Sequence, residues 1–295
     1  MIDLDRKIFY LSIVICPEKI LKRYRVLNVD FDTRATLLSQ EIQDSWEPKV
    51  RELWHNNKTQ ISEGLLCEFG PVGGEQKIVN FKDMGAAPWS IIGFHNKFMR
   101  QLRHAFVIGS YYPSLTAACA LGERVLNQLM IHLRDNFKAT PEYKKVYRKN
   151  SFDKWEIPID TLESWGVLLP DVVTGFRELK EMRNKSLHFN PETDTNDREL
   201  ALAAIKKLTE IIEGQFAGGG KQPWFIEGTK GASFIKQSHE AIPFVHHLVL
   251  QNCRLVGHLH KLEHTHSGNW IVHDDHDYEE REISDGEFTE LWNSR

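Results

Sequence analysis

Helical periodicity dominates the centre of the chain. In FHNKFMRQLRHAFVIG, residues 94–109, Phe94, Phe98, Leu102, Ala105 and Phe106 recur at spacings of three and four, which predicts a helix burying those side chains. Gly109 and the Tyr-Tyr-Pro that follows break it, and Pro113 suits the first turn of a second helix. There Leu115, Ala118, Cys119, Gly122, Leu126, Leu129 and Leu133 line one face, and the period runs on towards Phe137. A basic, aromatic connection, EYKKVYRKNSFDKW, leads to a short helix near residues 159–166. Pro170 starts another helix with Val172, Phe176 and Leu179 on its buried stripe. Asp197 opens the last, with Leu200, Ala201, Ala204, Ile205, Leu208 and Ile211 inside.

The two ends of the chain carry weaker patterns. IFYLSIVIC, residues 8–16, reads as a buried strand; a bilayer span needs about 20 apolar residues. Arg6 and Lys7 are offset by Asp3 and Asp5, and no small-residue cleavage site follows, so the segment makes a poor signal peptide. The polar stretch 37–58 reads as helical, and EGLLCEFGPVGG, residues 63–74, as a strand ending in a Pro/Gly turn. AGGGKQP, residues 217–223, reads as a linker. Beyond it the pattern is one of strands and turns with an acidic end, DDHDYEEREISDGEF. The expected architecture is α+β: a mixed region over 1–90, an antiparallel helical bundle over 91–216, the linker 217–223 and a β-rich region over 224–295.

Charge and cysteine usage narrow the function classes. A net charge of −4 supplies no global basic field, so any nucleic-acid site must be a local patch. Cys16, Cys67, Cys119 and Cys253 are scattered without a CxxC pair, which argues against a disulfide framework or a cysteine-rich zinc site and points to the cytoplasm. GPVGGEQK lacks the spacing of a phosphate-cradling loop, and there is no GxSxG elbow. Asp30-x-Asp32, in VDFD, has no Gly-Ser element at useful spacing before it and reads as a loop.

FRELKEMRNKSLHFNP, residues 176–191, holds the most specific chemistry. The buried stripe 172, 176, 179 continues to position 183, which is an arginine. A guanidinium there is costly unless it is paired or faces a wet groove. Asn184 and His188 share one face, four residues apart. Arg183 and His188 lie about 140° apart on an ideal helix. They converge only where the helix frays, and Asn190-Pro191 supplies that end. Glu123 borders the stripe of the second helix and is the expected partner of Arg183 across the bundle; otherwise each makes an ordinary surface pair. Arg254 and His260, in RLVGHLH, fit a similar spacing but lie in a strand-like segment without an adjacent asparagine.

RNKSLH matches the Arg-polar-x3–5-His pattern near the end of a core helix that marks HEPN domains (higher eukaryotes and prokaryotes nucleotide-binding), and LRHAFVIGSYYPSLTAACALGERVLNQLM is similar to their first helical hairpin. Residues 94–216 resemble that family; the flanks do not. The resemblance implies a metal-independent, cofactor-free endoribonuclease of phage-defence or toxin systems, working as a homodimer that joins two motifs in one cleft. By position, His188 would be the general acid or base, Arg183 would stabilise charge on the phosphate, Asn184 would orient either of them, and Glu123 would position Arg183. Some members keep the fold without activity, so a non-catalytic module that binds RNA or nucleotide, or dimerises, is the alternative. A neutralising or sensing partner is left open.

Two further patches complete the reading. Lys144, Lys145, Arg148 and Lys149 interleave with Tyr143, Tyr147, Phe152 and Trp155, as cations tracking an RNA backbone would beside rings stacking on bases; the competing reading tucks the rings onto the bundle. Nine of the fourteen histidines follow residue 238. His258 with His260, and His264 with His266, are spaced to share a strand face, and two such strands could offer four nitrogens to zinc. The other reading makes them surface or packing histidines, and a metal-dependent enzyme centred there is the second alternative.

Overall fold

Long runs of helix-forming residues between glycine and proline breaks become a helix-rich α+β chain. The computed structural model describes residues 21–27, 32–187, 195–265, 270–279 and 281–295. Strand β1 (Lys22–Val26) is followed by helices α1 (Arg34–Ser39), α2 (Pro48–Phe69) and α3 (Gly74–Asp83). Then come α4 (Gly93–Val107), α5 (Tyr111–Leu133), the short α6 (Tyr143–Val146), α7 (Glu156–Ser164), α8 (Pro170–Leu187) and α9 (Asp197–Phe216). β2 (Ser233–Phe234), β3 (Cys253–Gly257), β4 (Lys261–His264), β5 (Trp270–His273) and α10 (Asp285–Asn293) complete the order.

Helices α4, α5, α8 and α9 pack on one another around the main core. The apolar stripe of α5 is buried along its whole length, from Leu115 to Leu133. In α8 the stripe Val172, Phe176 and Leu179 is buried. Gly122 permits the close approach of α5 to α8: a Cβ there would stand 2.7 Å from Leu179 Cδ2 and 2.9 Å from Trp155 Cη2. Buried polar side chains fix the helix ends. Gln215 accepts from the Leu169 N–H at 3.0 Å and donates to the Val167 carbonyl at 3.0 Å, holding the start of α8. Asn80 donates to the carbonyls of Phe106 and Val107 at the end of α4, adding to the backbone bonds that close the helix.

Several sequence expectations are revised. Residues 63–69 are the last turns of α2 and not a strand; the turn begins at Gly70. In α4 the buried face carries His95, Met99, Leu102, Arg103 and Phe106, while Phe94 and Phe98 are only half-buried. A competing period of three and four runs through positions 95, 99, 102 and 106, and it is this one that faces the core. The glycine run 217–223 is a packed turn. Gly218 lies against the indole of Trp89, where a Cβ would fall 1.5 Å from Cζ3, and buried Gln222 donates to the Glu213 carbonyl at 2.7 Å.

The first and last zones of the chain share one antiparallel sheet, ordered β2-β1-β3, with Tyr24 opposite Leu255 and Val26 opposite Ser233. A small second core forms beneath it from Leu21, Ile226, Phe234, Val256, Phe288 and Trp292. The acidic end holds a helix, α10, whose N-cap Ser284 accepts from the Glu287 N–H. Arg23, 1% exposed, bonds Asp285 and the Ile283 carbonyl at the mouth of that helix, each at 2.7 Å, so a buried cation ties β1 to α10. Among the described residues no helix is long and apolar enough to cross a membrane. The apolar run 8–16 and Asp30 lie outside the described residues.

Candidate functional site

Arg183 leaves the buried stripe of α8 at the rim of the bundle, where its guanidinium meets the carboxylate of Glu123 from α5. Nη2 and Oε2 are 3.3 Å apart, with the side chains 26% and 32% exposed. The pair is half-screened by solvent, so its Coulomb contribution is small, about 1 kcal/mol or less. A third group makes the arrangement specific. The indole N–H of Trp155 donates to the same Glu123 oxygen at 3.0 Å, and the Arg183 guanidinium lies 5.9 Å from the Trp155 ring centroid. Trp155 is 1% exposed and stands edge-on to Phe176, so a rigid core ring carries the donor that orients Glu123. Glu123 in turn orients Arg183.

The surroundings are ordered by local bonds. Asn127, one turn beyond Glu123, donates to the Glu123 and Phe152 carbonyls and accepts from the Phe152 N–H at 2.7 Å. This fastens the connection carrying Trp155 to α5. Ser186 donates back to the Met182 carbonyl at 2.8 Å within α8. Cys119 lies under the pair; burial pushes its thiol up to about 11, the Arg183 charge opposing, so it stays protonated and is no nucleophile at neutral pH. Asn184 is half-buried on the next position, and among the described residues its amide makes no hydrogen bond. His188 and the Asn190-Pro191 stop lie outside the described residues; the described part of α8 runs to Leu187.

The basic segment divides into two parts. Lys144, Lys145, Arg148 and Lys149 are all exposed, on α6 and the turn after it, and Tyr147 is exposed beside Arg148, 5.0 Å from its guanidinium carbon. Arg134 donates to the Val146 carbonyl at 3.1 Å and also to that of Lys149, anchoring the turn. Phe152 and Trp155, by contrast, are core residues at 2% and 1% exposure and are closed to stacking on bases. Positions 155, 159 and 162 form a helical stripe, the signal that assigns Trp155 to the core.

The histidine-rich end does not assemble as expected. His258 and His260 follow β3 in a turn and do not share a strand face. His260 is fully buried against Trp292, with Nδ1 donating to the Gly257 carbonyl at 2.6 Å and Nε2 accepting from Arg25. Burial lowers its pKa, and both nitrogens are committed, so it has no lone pair for a metal. His258 leans on Tyr278, and its pKa is lowered mainly by burial. Asp274 nearby already accepts from Tyr278 and the Gly257 N–H and pairs with Lys22. His264 is exposed beside Trp270, and His266 lies outside the described residues. Among the described residues no three His, Cys, Asp or Glu side chains converge to hold a metal ion.

Comparison of the chain with protein-family models, with curated proteins and with solved structures returned no match.

Proposed function

We propose that this chain is a metal-independent endoribonuclease built on a HEPN-like bundle of α4, α5, α8 and α9. The observation that carries the reading is the fastening of Arg183 by Glu123 and Trp155 at the rim of the bundle, at the end of the helix that leads to His188. An arginine has five N–H donors, and among the described residues only Nη2 of Arg183 meets a carboxylate, which leaves most of the fork for a phosphate.

In this reading His188 removes the proton from a ribose 2′-hydroxyl or delivers one to the leaving 5′-oxygen. The 2′-oxygen attacks phosphorus, the P–O5′ bond breaks, and a 2′,3′-cyclic phosphate and a 5′-hydroxyl result. An imidazole of ordinary pKa, about 6.5, suits the transfer. Arg183 meets the charge that builds on the phosphoryl oxygens, Asn184 orients the imidazole or the phosphate, and Glu123 is a positioning residue. Lys144, Lys145, Arg148 and Lys149 track the RNA backbone. Two copies bring two motifs to one cleft, and the setting is defence or a toxin system.

A second reading, a non-catalytic RNA-binding or dimerisation module, draws on the burial of Phe152 and Trp155, which leaves the basic turn with cations but fewer stacking rings. The two separate in one assay. The full chain is incubated with end-labelled single-stranded RNA, and with DNA of the same sequence, in excess EDTA. Nuclease activity gives RNA fragments with cyclic phosphate ends and intact DNA. Retention of intact RNA on the protein gives the module.

A further inference from the structure

A cleft of about 570 Å³ opens on the other side of the bundle, lined by α4, the end of α2, α3 and the residues around Asp32 and Trp89. No residue of α5, α7 or α8 lines it, so it is separate from Arg183 and Glu123. Its walls are part apolar, with Phe69, Phe81, Met84, Met99 and Val107, and part polar, with Asn96, Arg100 and His104. The loop closing one side is fixed by paired bonds between Ser90 and Asn96: the Ser90 N–H donates to the Asn96 amide oxygen at 2.9 Å, and the Asn96 amide donates to the Ser90 carbonyl at 2.7 Å. Such a cavity is within the size range of small-molecule sites, about 300–1,000 Å³, and is formed before any ligand arrives.

Among the described residues, the guanidinium groups of Arg34, Arg100 and Arg103 line the cleft with two carboxylates, Asp32 and Glu68. Arg34 occupies both carboxylates. Arg34 gives Asp32 bonds from its backbone N–H, Nε and Nη2, and gives Glu68 one from Nη1 at 2.7 Å. Arg103 also lines the cleft at 6% exposure. It donates to the Gly85 carbonyl at 2.6 Å and, at 3.5 Å, to that of Ala86. Among the described residues it pairs with no carboxylate. Burial pulls this guanidinium down to about 10, with the Asp32 charge opposing, so it remains a cation at neutral pH. Asp32 acts on Arg103 only through space and is itself bonded by Arg34, so an anion bonded directly to Arg103 would relieve part of the cost of its burial.

We propose that this cleft binds a small organic anion, its apolar or aromatic body against Phe69, Phe81 and the two methionines, its carboxylate or phosphate received by Arg103. Charge-assisted hydrogen bonds to a guanidinium give the headgroup its affinity, and the apolar part of the wall favours an organic anion over a bare ion.

The test is binding to the full chain, read by calorimetry with three probes: phenyl phosphate, benzoate and inorganic phosphate. Nuclease activity plays no part in the readout. One aromatic anion is expected to bind in one-to-one ratio at least about tenfold more tightly than inorganic phosphate. The better of phenyl phosphate and benzoate identifies the headgroup. Arg103→Met is expected to weaken that probe about ten- to hundredfold, and Ala87→Trp, which fills the lining without changing charge, to abolish binding. The proposal is overturned if neither aromatic anion binds, or if binding survives Ala87→Trp unchanged, a result that stands even if the Arg103 variant fails to fold.

Discussion

The carboxylate of Glu123 serves two partners at once: Oε2 lies 3.0 Å from the indole nitrogen of Trp155 and 3.3 Å from Nη2 of Arg183. The first contact is to a core side chain and the second to one at the rim. The shared oxygen therefore passes the rigidity of the core to a guanidinium that is partly in water.

Glu123→Ala and Glu123→Gln should consequently differ in stability. Alanine leaves the Trp155 N–H without its acceptor, at about 1–3 kcal/mol. Glutamine keeps an acceptor oxygen and loses only a half-exposed ion pair, about 1 kcal/mol or less. Urea unfolding of the two variants beside the wild type measures the difference; equal losses would mean that the Trp155 bond contributes nothing.

Acid should weaken the fold through His95. This ring is 2% exposed, stands 2.9 Å from the Ser90 hydroxyl and packs edge-on to Phe94 and Phe216. Burial lowers its pKa from 6.5 to about 3. The unfolded chain therefore binds a proton below about pH 6.5 that the folded chain refuses until about pH 3, so stability is full above that window and falls as the pH drops through it. Between pH 7.5 and pH 5 the loss from this group is about 2 kcal/mol. The pH dependence of unfolding in His95→Gln should be flatter than in the wild type by that amount.

The helical centre was legible in the sequence because a helix that packs on one side repeats its apolar residues at a fixed period. The stripes of α5, α8 and α9, and the pairing of Glu123 with Arg183, followed from that period. In α4 two stripes compete, and the eye prefers phenylalanine at 94 and 98 to histidine at 95 and arginine at 103. Only tertiary context shows that Ser90 satisfies His95 and that the Gly85 carbonyl receives Arg103. The same blindness hid the cleft. The union of β1 with β2 and β3 was illegible because strand pairing across such sequence distance leaves no local trace. Histidine spacing misled at 258 and 260 because a turn and not a strand carries them, so the two-residue period does not apply. The glycines at 217–223 read as a linker because composition does not distinguish a free connection from one packed on Trp89.

Gly218 offers a direct check on that last point. In a flexible linker Gly218→Ala would be neutral or slightly stabilising. Packed on Trp89, where the new Cβ would overlap the ring, it should cost about 1–3 kcal/mol through forced repacking. Thermal unfolding of the variant, with tryptophan emission to follow the displaced indole, distinguishes the two.

The most direct measurement is the initial rate of RNA cleavage in excess EDTA by the wild-type chain, Arg183→Ala and His188→Ala, each first shown by circular dichroism to retain its helix content. General acid–base transfer contributes about 10²–10⁴-fold to such a rate, so each variant is expected to cut at least about a hundredfold more slowly than the wild type. A wild-type chain that leaves RNA whole, or a His188→Ala variant that cuts at the wild-type rate, would contradict the assignment.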